Sequence, residues 1–63
     1  MKRIQANKIK LKRADGGSIY IDRIKKIYAD GNRLIVEHYN AAGELQANFW
    51  RFPIQVRGFV TYG

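Results

Sequence analysis

The sequence predicts an all-β fold, a five-stranded antiparallel meander curled into a small barrel. Three observations predict it. Turn signals recur along the chain at Asp15-Gly16-Gly17-Ser18, Asp30-Gly31-Asn32 and Asn40-Ala41-Ala42-Gly43, with a further break at Phe52-Pro53. Between them lie segments rich in β-branched and aromatic residues, with apolar and polar positions alternating. No stretch sustains a helical period of apolar residues.

The first segment runs from about Arg3 to Arg13. In its second half Ile9 and Leu11 alternate with Lys8, Lys10 and Lys12, giving an apolar face and a lysine face. The second runs from Ser18 to Ala29. Ile19 and Ile21 alternate with Tyr20 and Asp22, and then the phase slips, because Ile24 and Ile27 are three positions apart. A bulge, a bend or one turn of helix-like chain over Asp22 to Tyr28 would each account for the slip. The third segment, Arg33 to Tyr39, sets Leu34, Val36 and His38 against Ile35, Glu37 and Tyr39. The fourth, Glu44 to Phe52, sets Leu45, Ala47 and Phe49 against Gln46, Asn48 and Trp50, which places Phe49 in the core with Leu45. The fifth, Ile54 to Tyr62, alternates Ile54, Val56, Gly58, Val60 and Tyr62 with Gln55, Arg57, Phe59 and Thr61. Asp-Gly pairs reach the positive φ angles of tight hairpins, and Pro53 cannot donate to a sheet ladder.

With 63 residues there is room for a single domain, 1–63. No helix is available to cover the sheet, so the sheet must curl on itself into a barrel of SH3-like or OB-like size, or pair face to face with a second copy. Monomer and homodimer both remain open.

The composition excludes several functions. There is no cysteine, hence no disulfide, thiolate nucleophile or Cys-ligated zinc. No segment approaches the roughly 20 apolar residues of a membrane span. The basic N-terminal residues are followed by no apolar run of the kind a secretory signal carries. A cytoplasmic protein without cofactor or metal is expected. Catalysis finds little support. His38 and Glu37 are neighbours on a strand and point to opposite faces, and Asp15 and Asp30 serve turns. The expectation is a binding protein and not an enzyme.

Charge points to the partner. Twelve Lys and Arg stand against five Asp and Glu, a formal net charge of +7. A field of that sign on a small body attracts polyanions, nucleic acid first among them. Lys8, Lys10 and Lys12 repeat every two residues, about 6.6–6.8 Å apart. That spacing is comparable to the separation of neighbouring phosphates along a strand, where the backbone winds around a rise of about 3.4 Å per step. The same row would also serve as a solvated face or a protected sheet edge. Arg13 follows it, Arg23, Lys25 and Lys26 cluster before the second turn, Arg33 comes just after, and Arg51 and Arg57 flank Pro53. Hairpin order places the first two groups where they could merge into one patch, and scattered surface charge is the alternative. Trp50, beside Arg51, would stack on unpaired bases if it lies on a wet face, and becomes core if curvature buries both faces. The expected nucleic-acid-binding residues are therefore Lys8, Lys10, Lys12, Arg13, Arg23, Lys25, Lys26, Arg33, Trp50, Arg51 and Arg57. DNA is expected before RNA, with low sequence specificity, because no base-reading motif is visible.

The stretch from Ser18 to Val36, with Ile24 and Ile27 in a bend and Tyr28-Ala29-Asp30-Gly31-Asn32 leading into Arg33-Leu34-Ile35-Val36, resembles the start of LytTR-type DNA-binding domains. The resemblance covers less than a third of the chain. It implies a β-hairpin within a mostly β domain and DNA as the ligand. A protein-interaction module is the alternative, as a phage- or plasmid-type inhibitor or an assembly subunit. It would use a sheet edge or an aromatic patch against an acidic partner.

Overall fold

A computed structural model describes residues 2–63. It is all-β, with seven strands: β1 (Lys2–Ile4), β2 (Lys8–Arg13), β3 (Ser18–Ile21), β4 (Ile24–Asp30), β5 (Arg33–Tyr39), β6 (Leu45–Arg51) and β7 (Val56–Tyr62). They form two antiparallel sheets, a four-stranded one ordered β1-β4-β5-β6 and a three-stranded one ordered β3-β2-β7.

Each of the first two sequence segments is one long strand broken by a bend. β1 and β2 together run antiparallel to β3 and β4, with Ile4 opposite Ile27 before the bend and Ile9 opposite Ile21 after it. At the bend this double-length hairpin passes from one sheet to the other. Arg23 takes a left-handed φ of 52° there. That conformation costs a side-chain-bearing residue roughly 1–2 kcal/mol, and the surroundings hold it. The Arg23 carbonyl accepts from Tyr39 N–H at 3.0 Å, and its Nη1 donates to the Asn40 carbonyl at 3.1 Å.

The slip between Ile24 and Ile27 is a bulge. Ile24 pairs with His38 and Lys26 with Glu37, which leaves Lys25 as the extra residue. An inserted residue restores the inward phase after three positions instead of two. Asp22 to Tyr28 is thus bend and strand, not helical turn.

The turns form as their residues dictate. Asp15 Oδ1 accepts from Gly17 N–H at 2.9 Å, and Asn40 Oδ1 accepts from the N–H groups of Ala42 and Glu44. Gly31, with φ of 61°, closes the β4–β5 turn in a conformation that suits glycine.

The meander ends at Pro53. Residues Phe52 to Gln55 form a turn, closed by Gln55 N–H donating to the Arg51 carbonyl at 2.9 Å. Ala14 N–H donates to the Gln55 carbonyl and ties that turn to the opposite sheet. The last segment therefore crosses over and pairs with β2 instead of β6. The five-stranded meander and the closed barrel give way to two facing sheets.

The core lies between them. Ile9, Leu11, Ile21 and Val56 enter from the three-stranded sheet and Ile27, Leu34 and Val36 from the other. Ile4, Ile19, Ile24, Trp50, Phe52 and Phe59 close its margins, with the Phe52 and Phe59 rings 6.0 Å apart.

Two face assignments change. Phe49, expected in the core, is 63% exposed. Its partner on β5 is Ile35, on the outer face, whereas Trp50 pairs with buried Leu34 and so turns inward. In β7, Arg13 pairs with Val56 and Lys12 with Gly58, so Arg57 is a bulge. The phase flips there. Val56 and Phe59 both face the core, and Val60 and Tyr62 point out.

Candidate nucleic-acid interface

The solvent face of the three-stranded sheet is set by the core beneath it. Buried Ile9 and Leu11 fix the inward phase of β2, so Lys8, Lys10 and Lys12 project outward. β2 is the central strand, and each lysine has a cross-strand neighbour on the same face. Lys10 lies between Tyr20 of β3 and Val60 of β7, Lys12 between Ser18 and Gly58, and Lys8 beside Tyr62. Tyr20 is 71% exposed and Tyr62 50% exposed. The Lys10 ammonium stands 5.6 Å from the Tyr20 ring centroid, within cation–π range. The result is a row of ammonium groups with an exposed phenol on each side.

A shallow cavity of about 290 Å³ opens on this face, lined by Lys8, Ile9, Tyr20, Ile21, Asp22 and Tyr62. Its two aromatic rings make it suited to a flat ring. The Asp22 carboxylate at its rim disfavours an anion there, which directs negative charge along the row toward Lys10 and Lys12.

The other expected residues divide. Arg13 leaves the row: it follows Lys12 in the opposite phase and pairs with buried Val56, whereas Arg57 is the extra, exposed residue of the β7 bulge beside Lys12. Arg13 is bound to Asp15 at 2.6 Å, the one ion pair among the described residues, so part of its charge is already answered. Arg23 stands at the bend. Lys25 and Lys26 belong to β4, in the other sheet, with Lys26 opposite Glu37. The two basic groups therefore do not merge into one patch, because the chain changes sheets between them. Arg33 and Arg51 face each other across β5 and β6, also in the other sheet. Trp50 packs against the core cluster and so is not on the wet face that stacking would need.

Tyr20 and Tyr62 are the aromatics exposed beside the lysine row, and neither is among the residues expected there from the sequence. A signal existed for Tyr20, which shares the polar phase of Ser18 and Asp22. Tyr62 was masked by the Arg57 bulge.

The outer face of the four-stranded sheet differs in character. Tyr28, Ile35 and Phe49 form a cross-strand row, with Tyr39 and Leu45 exposed nearby. Among the described residues no helix is long and apolar enough to cross a membrane.

Compared with known proteins, the chain matches no family model, and no curated protein or solved structure matches it.

Proposed function

We propose that this protein binds single-stranded nucleic acid, DNA before RNA, across the outer face of β3, β2 and β7. The observation that carries the reading is the cross-strand register of Lys8, Lys10 and Lys12 with exposed Tyr20 and Tyr62. The lysines contact successive phosphates and release counterions, which supplies affinity without sequence preference. The tyrosines offer faces on which unpaired bases stack, each worth about 1–3 kcal/mol. A duplex keeps its bases paired and gives the tyrosines nothing to stack on, so single strands are the better ligand. Arg57, exposed at the β7 bulge beside Lys12, extends the phosphate track at its far end. The LytTR-like residues 18–36, which span β3, the bend, β4 and the start of β5, add support for DNA.

The test is fluorescence anisotropy of labelled single- and double-stranded oligonucleotides at several salt concentrations. The expected result is tighter binding to single strands, weakening steadily as salt rises. No binding at low salt sinks the proposal, and equal affinity for duplex removes the stacking component.

A further inference from the structure

β6 is the outermost strand of the four-stranded sheet, and every residue from Leu45 to Phe49 is exposed. The other outer strands are blunted in the ways that keep sheet edges from pairing. β1 has three residues and carries Lys2 and Arg3. β3 has four and runs into the Arg23 bend. β7 is interrupted by its bulge at Arg57. β6 has none of these devices. It is seven residues long, runs without a bulge against β5, and carries no charge from Leu45 to Trp50.

We propose that β6 pairs with β6 of a second copy of this chain, antiparallel, about a two-fold axis through Ala47. The backbone is oriented for it. Glu44 C=O and Phe52 N–H bond inward toward the β5 side, to Asn40 and Asn32. By strand alternation the N–H and C=O groups of Leu45, Ala47 and Phe49 point out from the free edge.

The side chains match in the same register. Leu45 meets the partner's Phe49, Ala47 meets the partner's Ala47, and Gln46 meets the partner's Asn48. Apolar thus faces apolar on the outer surface, and amide faces amide on the inner one. A slip by one residue would set the outer face of one copy against the inner face of the other. A slip by two would part Leu45 from the partner's Phe49. The pairing is isologous and closes on itself. It joins two four-stranded sheets into one and extends the row of Tyr28, Ile35 and Phe49 across the axis. Each copy carries a net charge of +7, and the axis runs through the uncharged stretch of the edge. Salt screens the remaining repulsion.

The experiment is sedimentation equilibrium of the full chain over a concentration series reaching about 1 mM. Wild type, Ala47→Lys, Leu45→Lys and the double variant L45K/F49E are compared, with circular dichroism and Trp50 emission reporting the fold. Wild type associates to a dimer. Ala47→Lys sets two like charges on the axis and weakens it at least about tenfold. Leu45→Lys also weakens it, and L45K/F49E, which places opposite charges across both outer pairs, recovers it. Should Ala47→Lys not fold, the comparison of Leu45→Lys with L45K/F49E decides alone. A wild type monomeric throughout overturns the proposal. So does a dimer indifferent to Ala47→Lys, or a double variant no tighter than Leu45→Lys.

Discussion

Replacing Lys8, Lys10 and Lys12 together by glutamine tests the lysine face directly. All three side chains project from one surface, and none is ion-paired among the described residues. Each is therefore free to neutralise a phosphate. On single strands the dependence of log affinity on log salt steepens by about 0.7 per phosphate neutralised, so three lysines contribute a slope of about 2. Raising salt from about 50 to about 200 mM should then weaken wild type roughly 20-fold more than K8Q/K10Q/K12Q. The control is K26Q/R33Q/R51Q, which removes the same formal charge from the four-stranded sheet. Anisotropy titrations of a labelled single strand at several salt concentrations give both slopes. The control should keep most of the wild-type slope. If the two variants lose equal amounts, the protein acts as a diffuse cation and the argument from strand register is wrong.

Other outcomes follow from the same geometry. Tyr20→Ala should cost about 1–3 kcal/mol in affinity for single strands and leave the salt slope unchanged, while Tyr20→Phe keeps the affinity, as paired titrations would show. Leu34→Ala empties a fully buried core position and should destabilise by about 2–5 kcal/mol, enough to bring so small a domain near unfolding in a urea melt. His38 Nε2 is buried without a hydrogen-bond partner. His38→Leu should therefore raise stability by about 1 kcal/mol, visible as a melting temperature higher by about 4–8 °C. Salt should act with opposite signs on the two associations, weakening nucleic-acid binding and strengthening the β6 dimer, since it screens attraction in one and repulsion in the other. Sedimentation and anisotropy run at the same ionic strengths would show the divergence.

The sequence made the strands legible wherever alternation ran unbroken. Ile9 and Leu11, and likewise Leu34 and Val36, fell on core faces as their spacing indicated. The three loop turns stood where Asp-Gly and Asn-Ala-Ala-Gly placed them. What failed depended on single inserted residues or on distant partners. Alternation carries a face assignment only as far as the next bulge, and Arg57 reversed it in the last segment. Hydrophobicity misled in β6, where the apolar phase of Leu45 and Phe49 lies outside. There the inward face is chosen by Leu34 and Val36 of the neighbouring strand. The bend at Arg23 was visible as a slip of phase, but a one-dimensional pattern does not say that the chain changes sheets there. For that reason the lysine row was legible as a row, while its expected union with Lys25 and Lys26 was not met.

The pairing of β7 with β2 bears on the order in which the protein assembles. β1 to β6 are joined by hairpins and bends between neighbours in the chain, whereas β7 returns from the far end to meet the strand that follows the first bend. Non-local pairings of this kind slow the folding of small β proteins. The lysine face is therefore complete only where this long-range pairing is made. Until residues 56–62 dock, β2 has an open edge, the row lacks Tyr62, and the floor of the core lacks Val56. The outer face of β2 thus depends on residues far away in the sequence, and a chain without that pairing would carry the lysines without Val60 and Tyr62 beside them.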